Sequence, residues 1–462
     1  METIVHEIME IITTGFEKNI KNLVETGQDI SHFILSTKKN LDQVGAALTV
    51  EALKILDESV RNDKERKSKW YVKEKASPNT LATIFGEIHY NRTYYVHKKT
   101  GEFKYLSDEI VGIMPYDKMD LSLKAKLIDE AIETPYRRSG EKATEALEIT
   151  GQSVMNSIRE LGAIPNEAAL MREVNKEAQI LYVEADEDHV ALQCGGCAEP
   201  KLVYVHEGIK KISKDRYELI NPRYFGGMYS NTEKLWKEVA DYIDNNYDYE
   251  KIKKVYISGD GASYIKSGAK WLNKGIYVYD RYHLTKYIKQ AAGHIVGAEK
   301  EIWKALRHYD KKYLKIVLDT IEGATAEGTK LESVREARTC ILNNFESIKY
   351  QYYSDYNGCS AEGHISHIYA DRLSSRPLGW SKEGVDQMAR LRVFKKNGGN
   401  VYDYMLREKV KVSKEKIELA QDMKIREKRK LVASGETRGN IEILSIGKCS
   451  QLQKALKSFR GL

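Results

Sequence analysis

Ile4, Ile8, Ile11 and Ile12 recur at helical spacing, and Phe16, Ile20 and Leu23 continue the stripe. The pattern predicts a helical N-terminal region over 1–76. It is closed by a basic stretch, Arg61 to Lys75, and by the turn-forming Ser77-Pro78-Asn79. From 77 to 118 the period changes. Ile84, Ile88, Tyr90 and Arg92-Thr93-Tyr94-Tyr95-Val96 favour β structure, and Lys99-Thr100-Gly101-Glu102 reads as a turn before Phe103-Lys104-Tyr105-Leu106. A small β-hairpin element is expected there.

Residues 119–175 return to helical periodicity, with helices expected over about 122–133, 139–147 and 152–161. The last carries Val154, Ile158 and Leu161 on one face. Two short helices joined by the Gly-containing connector Glu148-Ile149-Thr150-Gly151 fit a helix-turn-helix. Its second helix would present Gln152, Ser153, Asn156 and Arg159 to DNA. A plain helical hairpin fits the same pattern.

The most informative stretch is 176–283. Ile180 to Asp186 is an apolar β-rich run ending in acids. Lys201 to His206, about Tyr217 to Tyr224 (interrupted by Asn221-Pro222), Val255 to Ser258 and Gly275 to Tyr279 are further candidate strands. Helices fit 232–247 and 264–272. The order β-β-β-α-β-α-β specifies an α/β domain with a mixed sheet, the order of ribonuclease-H-like domains. Residues 284–358 continue no strand pattern and read as a helical insertion (Trp303, Leu306, Tyr313, Ile316). A helix around 361–373 returns the chain to the core over 359–389, and a basic helical tail covers 390–462.

Composition narrows the class. The chain has 462 residues, 42% of them hydrophobic and 31% charged, enough for two to four folded domains. Five cysteines give no disulfide framework and suit a reducing cytosol. No apolar run is long enough to span a membrane. The Met1-Glu2-Thr3-Ile4 start lacks a signal-peptide pattern. Charge is uneven: 390–462 holds 19 Lys/Arg against 8 Asp/Glu, whereas the other 389 residues net −4. A basic tail on an acidic body, with Lys424, Arg426 and Arg429 at its centre, suggests a polyanion partner. A solvated helical face with interleaved Glu415, Glu418 and Glu427 is the bland alternative.

Phosphodiester chemistry with divalent metals needs clustered carboxylates. Asp186 lies in the first strand, Asp260 ends the fourth, and Glu362 begins the returning helix, 74 and 102 residues apart. Glu184, Asp186 and Asp188 alternate on one face, so any of them could be the ligand. Glu362 also suits a helix N-terminus on dipole grounds alone.

Tyr182-Val183-Glu184-Ala185-Asp186-Glu187-Asp188-His189-Val190, Ile257-Ser258-Gly259-Asp260-Gly261-Ala262 and Tyr279-Asp280-Arg281-Tyr282-His283-Leu284 together resemble the DDE transposases of bacterial insertion sequences. The likeness is to the Lre-two insertion-sequence family, itself similar to the Mutator-like group. It covers nearly the whole chain, and Asp280-x-x-His283 is its most specific mark. The resemblance implies catalytic, metal-binding acids at Asp186, Asp260 and Glu362, with Glu332, Glu336 and Glu346 open as alternatives to the third. It implies Mg²⁺, with Mn²⁺ as a substitute, and double-stranded DNA (the element's terminal repeats and the target) as partner. A homo-oligomer on DNA and a place at the bacterial nucleoid are expected too. His283 would approach the scissile phosphate as donor or proton carrier, or simply shape the strand end with Asp280. Zinc is not expected: Cys194 and Cys197 would need His189 and His206 to complete a site. The chain has no phosphate loop for a nucleotide. Two other functions stay open: a non-catalytic helix-turn-helix DNA-binding protein, and a structure-selective nuclease of the same fold.

Overall fold

The computed structural model describes residues 2–27, 29–169, 177–214, 216–376 and 379–411. The chain divides into two units, Met1–Tyr402 and Asp403–Leu462. Of the second, residues 403–411 are described and are helical. The basic-tail residues Lys424, Arg426 and Arg429 lie outside the described residues.

The N-terminal region is a helical hairpin, α1 (Glu2–Glu25) and α2 (Ile30–Asn62), followed by a short α3 (Lys64–Lys69). Strands β1 (Trp70–Thr83), β2 (Gly86–His97) and β3 (Phe103–Lys104) form an antiparallel sheet in that order. The β structure begins at Trp70, ahead of the boundary expected at Ser77-Pro78-Asn79. Pro78 is accommodated because β1 is an edge strand, where a missing N–H breaks no ladder. Leu81, Ile88 and Tyr90 pack against Ala46, Val50 and Leu53 of α2. The buried Asp57 of α2 accepts hydrogen bonds from Thr93 N (2.9 Å), Thr93 Oγ1 (2.6 Å) and Ser107 Oγ (2.9 Å), which fixes helix to sheet.

After α4 (Leu106–Val111) come α5 (Leu121–Glu133), α6 (Tyr136–Ala143) and α7 (Gly151–Leu161). The middle helix stops at Ala143, four residues short of the expected end. Thr144 turns extended there, and its hydroxyl donates to the Ile84 carbonyl (3.2 Å). Gly140 permits the close return of the chain. A Cβ at that position would lie 2.2 Å from the Ile149 carbonyl oxygen.

The central sheet comprises β4 (Ile180–Glu187), β7 (Lys201–His206), β10 (Arg223–Gly227), β11 (Lys254–Gly259) and β12 (Gly275–Tyr279). Two small hairpins interrupt the series: β5 (Val190–Ala191) with β6 (Cys197–Ala198), and β8 (Ile209–Lys211) with β9 (Tyr217–Leu219). The expected third strand is thus split in two, because Asn221 takes φ +49° beside Pro222. Spatial order is β10-β7-β4-β11-β12, antiparallel through β10, β7 and β4 and parallel through β4, β11 and β12.

Side-chain alternation sorts the two faces. Leu181, Val183 and Ala185 join Leu235, Trp236 and Ile265 in the core beneath α8 (Thr232–Asn246) and α9 (Ser263–Trp271). Tyr182, Glu184 and Asp186 therefore face the other way. Helices α10 (Arg281–Ala292), α11 (Ala298–Arg307), α12 (Lys311–Ala324), α13 (Thr329–Asn343) and α14 (Phe345–Ile348) form a separate apolar cluster with Tyr279. The chain then returns through α15 (Ala361–Ile365), one π-helical turn over Ser366–Ala370 and α16 (Asp371–Leu373). It ends the unit with α17 (Lys382–Lys396), packed on β10.

Candidate functional site

Parallel register brings the acids level. Ser258 of β11 pairs with Glu184 of β4, and Gly259 pairs with Tyr279 of β12. Two residues beyond the first pair stand Asp260 and Asp186; one beyond the second stands Asp280. Three carboxylates thus sit at the carboxyl ends of three adjacent strands, roughly 4.8 Å apart between neighbours. Gly259 lets the strands close up at this point. A Cβ there would lie 2.6 Å from Ile265 Cδ1 and 2.8 Å from the Ala185 carbonyl oxygen. Asp260 Oδ1 accepts from Ala262 N (2.9 Å), turning the chain into α9 through Gly261 at φ +100°.

Of the three alternating acids, Glu184 and Asp186 on β4 and Asp188 just beyond its end, two have structural tasks. Glu184 is buried and accepts from Tyr204 Oη (2.6 Å), His206 Nε2 (3.0 Å), Ser360 N (2.5 Å) and Ser360 Oγ (3.0 Å). Asp188 accepts from Ser374 Oγ (2.8 Å) and His189 N (2.9 Å). Ser360 precedes α15 and Ser374 follows α16, so these acids hold the two ends of the helical segment that carries Glu362. Asp186, between them, makes a side-chain hydrogen bond only within its own strand, from Glu187 N (2.9 Å), among the described residues.

Asp186 is 8% exposed. Burial pushes its carboxyl up to about 7, and the negative charges of Asp260 and Glu362 add to the rise, opposed by the Glu187 N–H and by His283. Asp260, Glu362 and His283 thus all stand near enough to act on the Asp186 charge. Of the alternative third acids, Glu336 accepts from Gln290 (3.1 Å) and Glu346 from Tyr309. Glu362 stands at the solvent-exposed start of α15, and the π-helical turn one step further is a feature common at functional sites. The basic Arg372 that follows it does not face solvent. It is buried against Tyr136 and Trp380, and its Nε donates to the Ala131 carbonyl (3.0 Å).

Asp280 caps α10, accepting from Tyr282 N (3.2 Å) and His283 N (3.3 Å), and its Oδ2 lies 2.9 Å from His283 Nδ1. The Asp280 carboxylate holds the imidazole above its ordinary pKa against the opposing effect of burial, with Asp186 and Asp260 contributing. The motif thus holds an imidazole, its protonated form favoured, close to the acids. Asp280→Asn is expected to bring the His283 titration back down toward about 6.5, read by NMR of the imidazole carbons. An unmoved midpoint would remove Asp280 as the cause.

The donor chemistry, carboxylate oxygens at adjacent strand ends of which Asp186 is the buried one, suits a hard divalent cation. Among the described residues no group of three or more His, Cys, Asp or Glu is arranged to hold a metal ion. Cys194 and Cys197 are exposed thiols at a hairpin whose Gly195 and Gly196 take positive φ. His206 is bound instead to Glu184 and to the Gly208 carbonyl (3.0 Å).

The helix-turn-helix candidates form a separate group. Gln152, Asn156 and Arg159 are exposed on α7, Ser153 is half-buried, and Gln152 Nε2 donates to Asn156 Oδ1 (2.9 Å). The sequence reading counted Glu184 among the possible ligands and did not connect it to Tyr204, Ser360 and His364. His364 Nδ1 lies 3.1 Å from both Tyr204 Oη and the Ser360 carbonyl oxygen. The uninterrupted acid alternation in β4 was the only trace of this network along the chain.

Comparison with known proteins places the chain among relatives of one kind. A family model described as "Uncharacterised protein family (UPF0236)" matches residues 23–410. A UPF0236 protein of Caldanaerobacter subterraneus subsp. tengcongensis is 40% identical over 443 residues, 95% of this chain and 93% of its own length. Another from the same bacterium is 38% identical over 444 residues (95% and 94%), under a name that joins eleven loci. A UPF0236 protein of Streptococcus gallolyticus, named for its position in the vanSb 3′ region, is 26% identical over 392 residues, 79% of this chain and 85% of its own. Many homologues within one bacterium are a pattern consistent with mobile elements. This chain belongs to the uncharacterised protein family UPF0236.

Proposed function

We propose that this protein is a DNA transposase of an insertion sequence, with a ribonuclease-H-like catalytic domain. The observation that carries the reading is the alignment of Asp186 and Asp260 at adjacent strand ends, with Glu362 near enough to act on the Asp186 charge. Support comes also from the strand order, three antiparallel strands followed by two parallel ones with helices between, and from the repeated loci of the relatives.

Asp186, Asp260 and Glu362 are the residues that would hold Mg²⁺ or Mn²⁺. Such ions supply activation of the attacking oxygen and neutralise charge on the leaving one. The chain's own part is positional. The strand ends fix two carboxylates, and the α15 segment delivers the third. Burial around Asp186 keeps water from screening that corner. His283, whose protonated form Asp280 favours, would stand beside the scissile phosphate as donor or proton carrier. The α7 face (Gln152, Ser153, Asn156, Arg159) would read the duplex, and the basic tail with Lys424, Arg426 and Arg429 would contact phosphates.

The test is strand transfer with the purified protein, Mg²⁺ or Mn²⁺, and a fragment carrying the DNA that flanks its coding region. The expected product is element ends covalently joined to a second duplex, abolished by chelator. Binding without cleavage would leave a non-catalytic DNA-binding protein, and cleavage without joining a structure-selective nuclease. Either result overturns the proposal.

A further inference from the structure

The seam of α1 against α2 is partly polar and small: Asn19 is buried and its Nδ2 donates to Thr37 Oγ1 (3.3 Å). Gly15 sits so near Asn40 that a Cβ would lie 2.6 Å from Asn40 Nδ2. Ile8, Ile11 and Leu23 are half-buried on the same side, and Phe16 meets Phe33 of α2 edge-on at 6.5 Å. A second set of apolar residues on α1 is left to solvent. Met9, Ile12, Phe16, Ile20 and Val24 recur every three or four residues and are 36% to 74% exposed. On α2, Ile34, Leu41, Leu48 and Ile55 recur every seven residues and are 47% to 60% exposed. A seven-residue apolar repeat is the seam of helix-on-helix packing.

Both stripes lie on one side of the hairpin. The stripe is roughly 100° round from the contact line on α1 and roughly 60° on α2, in the same rotational sense, and antiparallel neighbours turn such stripes to a common face. The exposed apolar surface amounts to on the order of 1,000 Å² per copy, against the roughly 800 Å² per partner of a standard interface. Isolated exposed leucines need no explanation, but a continuous face of this size does.

We propose that this face is the interface with a second copy of the chain, the two hairpins packing about a two-fold axis as a four-helix arrangement. The α2 stripe is about 32 Å long at 1.5 Å per residue, and a second copy offers a stripe of equal length and period. A two-fold contact is self-complementary by construction. Charge does not oppose it: residues 8–62 hold 6 Lys/Arg and 8 Asp/Glu. The proposal gives the expected oligomer a surface, and it stands whether or not the protein transposes DNA.

Molar mass is measured by sedimentation equilibrium on the full chain, without DNA. The unaltered protein is expected at twice the chain mass at about 10 µM. Leu41→Lys/Leu48→Lys, and separately Phe16→Lys, should weaken association by at least roughly 100-fold. Because these sites face solvent, far-UV circular dichroism should be unchanged. Leu35→Lys, at an exposed site about 100° off the stripe, should leave the dimer intact. A monomeric unaltered protein overturns the proposal. So does a dimer indifferent to the stripe variants, or a monomer in which they expose residues 412–462 to protease, which would make the tail the occupant.

Discussion

Asp186→Asn is expected to abolish end joining and, in the same protein, to raise stability. The loss should be roughly 10³-fold or more, the scale of removing a group that organises charge in a phosphoryl-transfer site. The gain follows from burial. The carboxyl has a pKa of about 7 in the folded chain against an ordinary 3.8, so the folded state resists its ionisation. Folding holds that proton more tightly, and stability therefore falls as pH rises from about 4 to about 7. Asn keeps the acceptor for Glu187 N and carries no charge to desolvate. The full difference would be about 4 kcal/mol; relaxation around the charge makes about 2 kcal/mol the working expectation above pH 7. Urea unfolding in chelator, at pH 4.5 and pH 8, should show the variant matching the parent in acid and exceeding it in base. Asp260→Asn should lose activity equally. Full joining activity in both variants would end the catalytic assignment.

The two halves of that expectation differ in how they could be read from sequence. Two-residue alternation shows that Glu184, Asp186 and Asp188 share a face, and it cannot choose among them because all three satisfy it equally. The choice depends on what stands across from each. Ser360 and Ser374 lie 176 and 186 residues further along, and the chain gives no local sign that they return to β4. The parallel strands were legible for the opposite reason. Val255 to Ser258 and Gly275 to Tyr279 are apolar β-branched and aromatic runs that end in Asp, and burial on both faces demands such runs. Local context misled at Pro78, because proline marks a break in most settings and is silent in an edge strand. Arg372 gives no local sign of its place, and only the folded chain reveals Tyr136 and Trp380 closing over it. Asp280-x-x-His283 was legible as a pair, since an Asp before a helix caps it and reaches a side chain three residues on.

Glu184 carries the second large expectation, and it tests how the third acid is held. Its carboxylate is the common acceptor for Tyr204, His206 and Ser360. Glu184→Ala would leave those donors buried without an acceptor, costing about 3–5 kcal/mol of a total on the order of 5–15 kcal/mol. Burial favours the protonated acid, but bonds from His206, Tyr204 and the Ser360 N–H outweigh it and hold the carboxyl below its ordinary range. A carboxyl lowered on folding stabilises above its unfolded pKa and loses that effect as pH falls through the folded one. The gap between parent and Glu184→Ala in urea should thus be full at pH 7 and shrink only in strong acid. Glu184→Gln keeps volume and one acceptor oxygen, and it should remain folded. It turns a donor toward partners that are themselves donors, so the Ser360 loop shifts, and Glu362 lies two residues on. Joining by this variant should fall at least roughly tenfold and need more Mg²⁺, with DNA affinity unchanged. Parental stability for Glu184→Ala would show that the network is idle. Parental Mg²⁺ dependence for Glu184→Gln would show that Glu362 is positioned by something else.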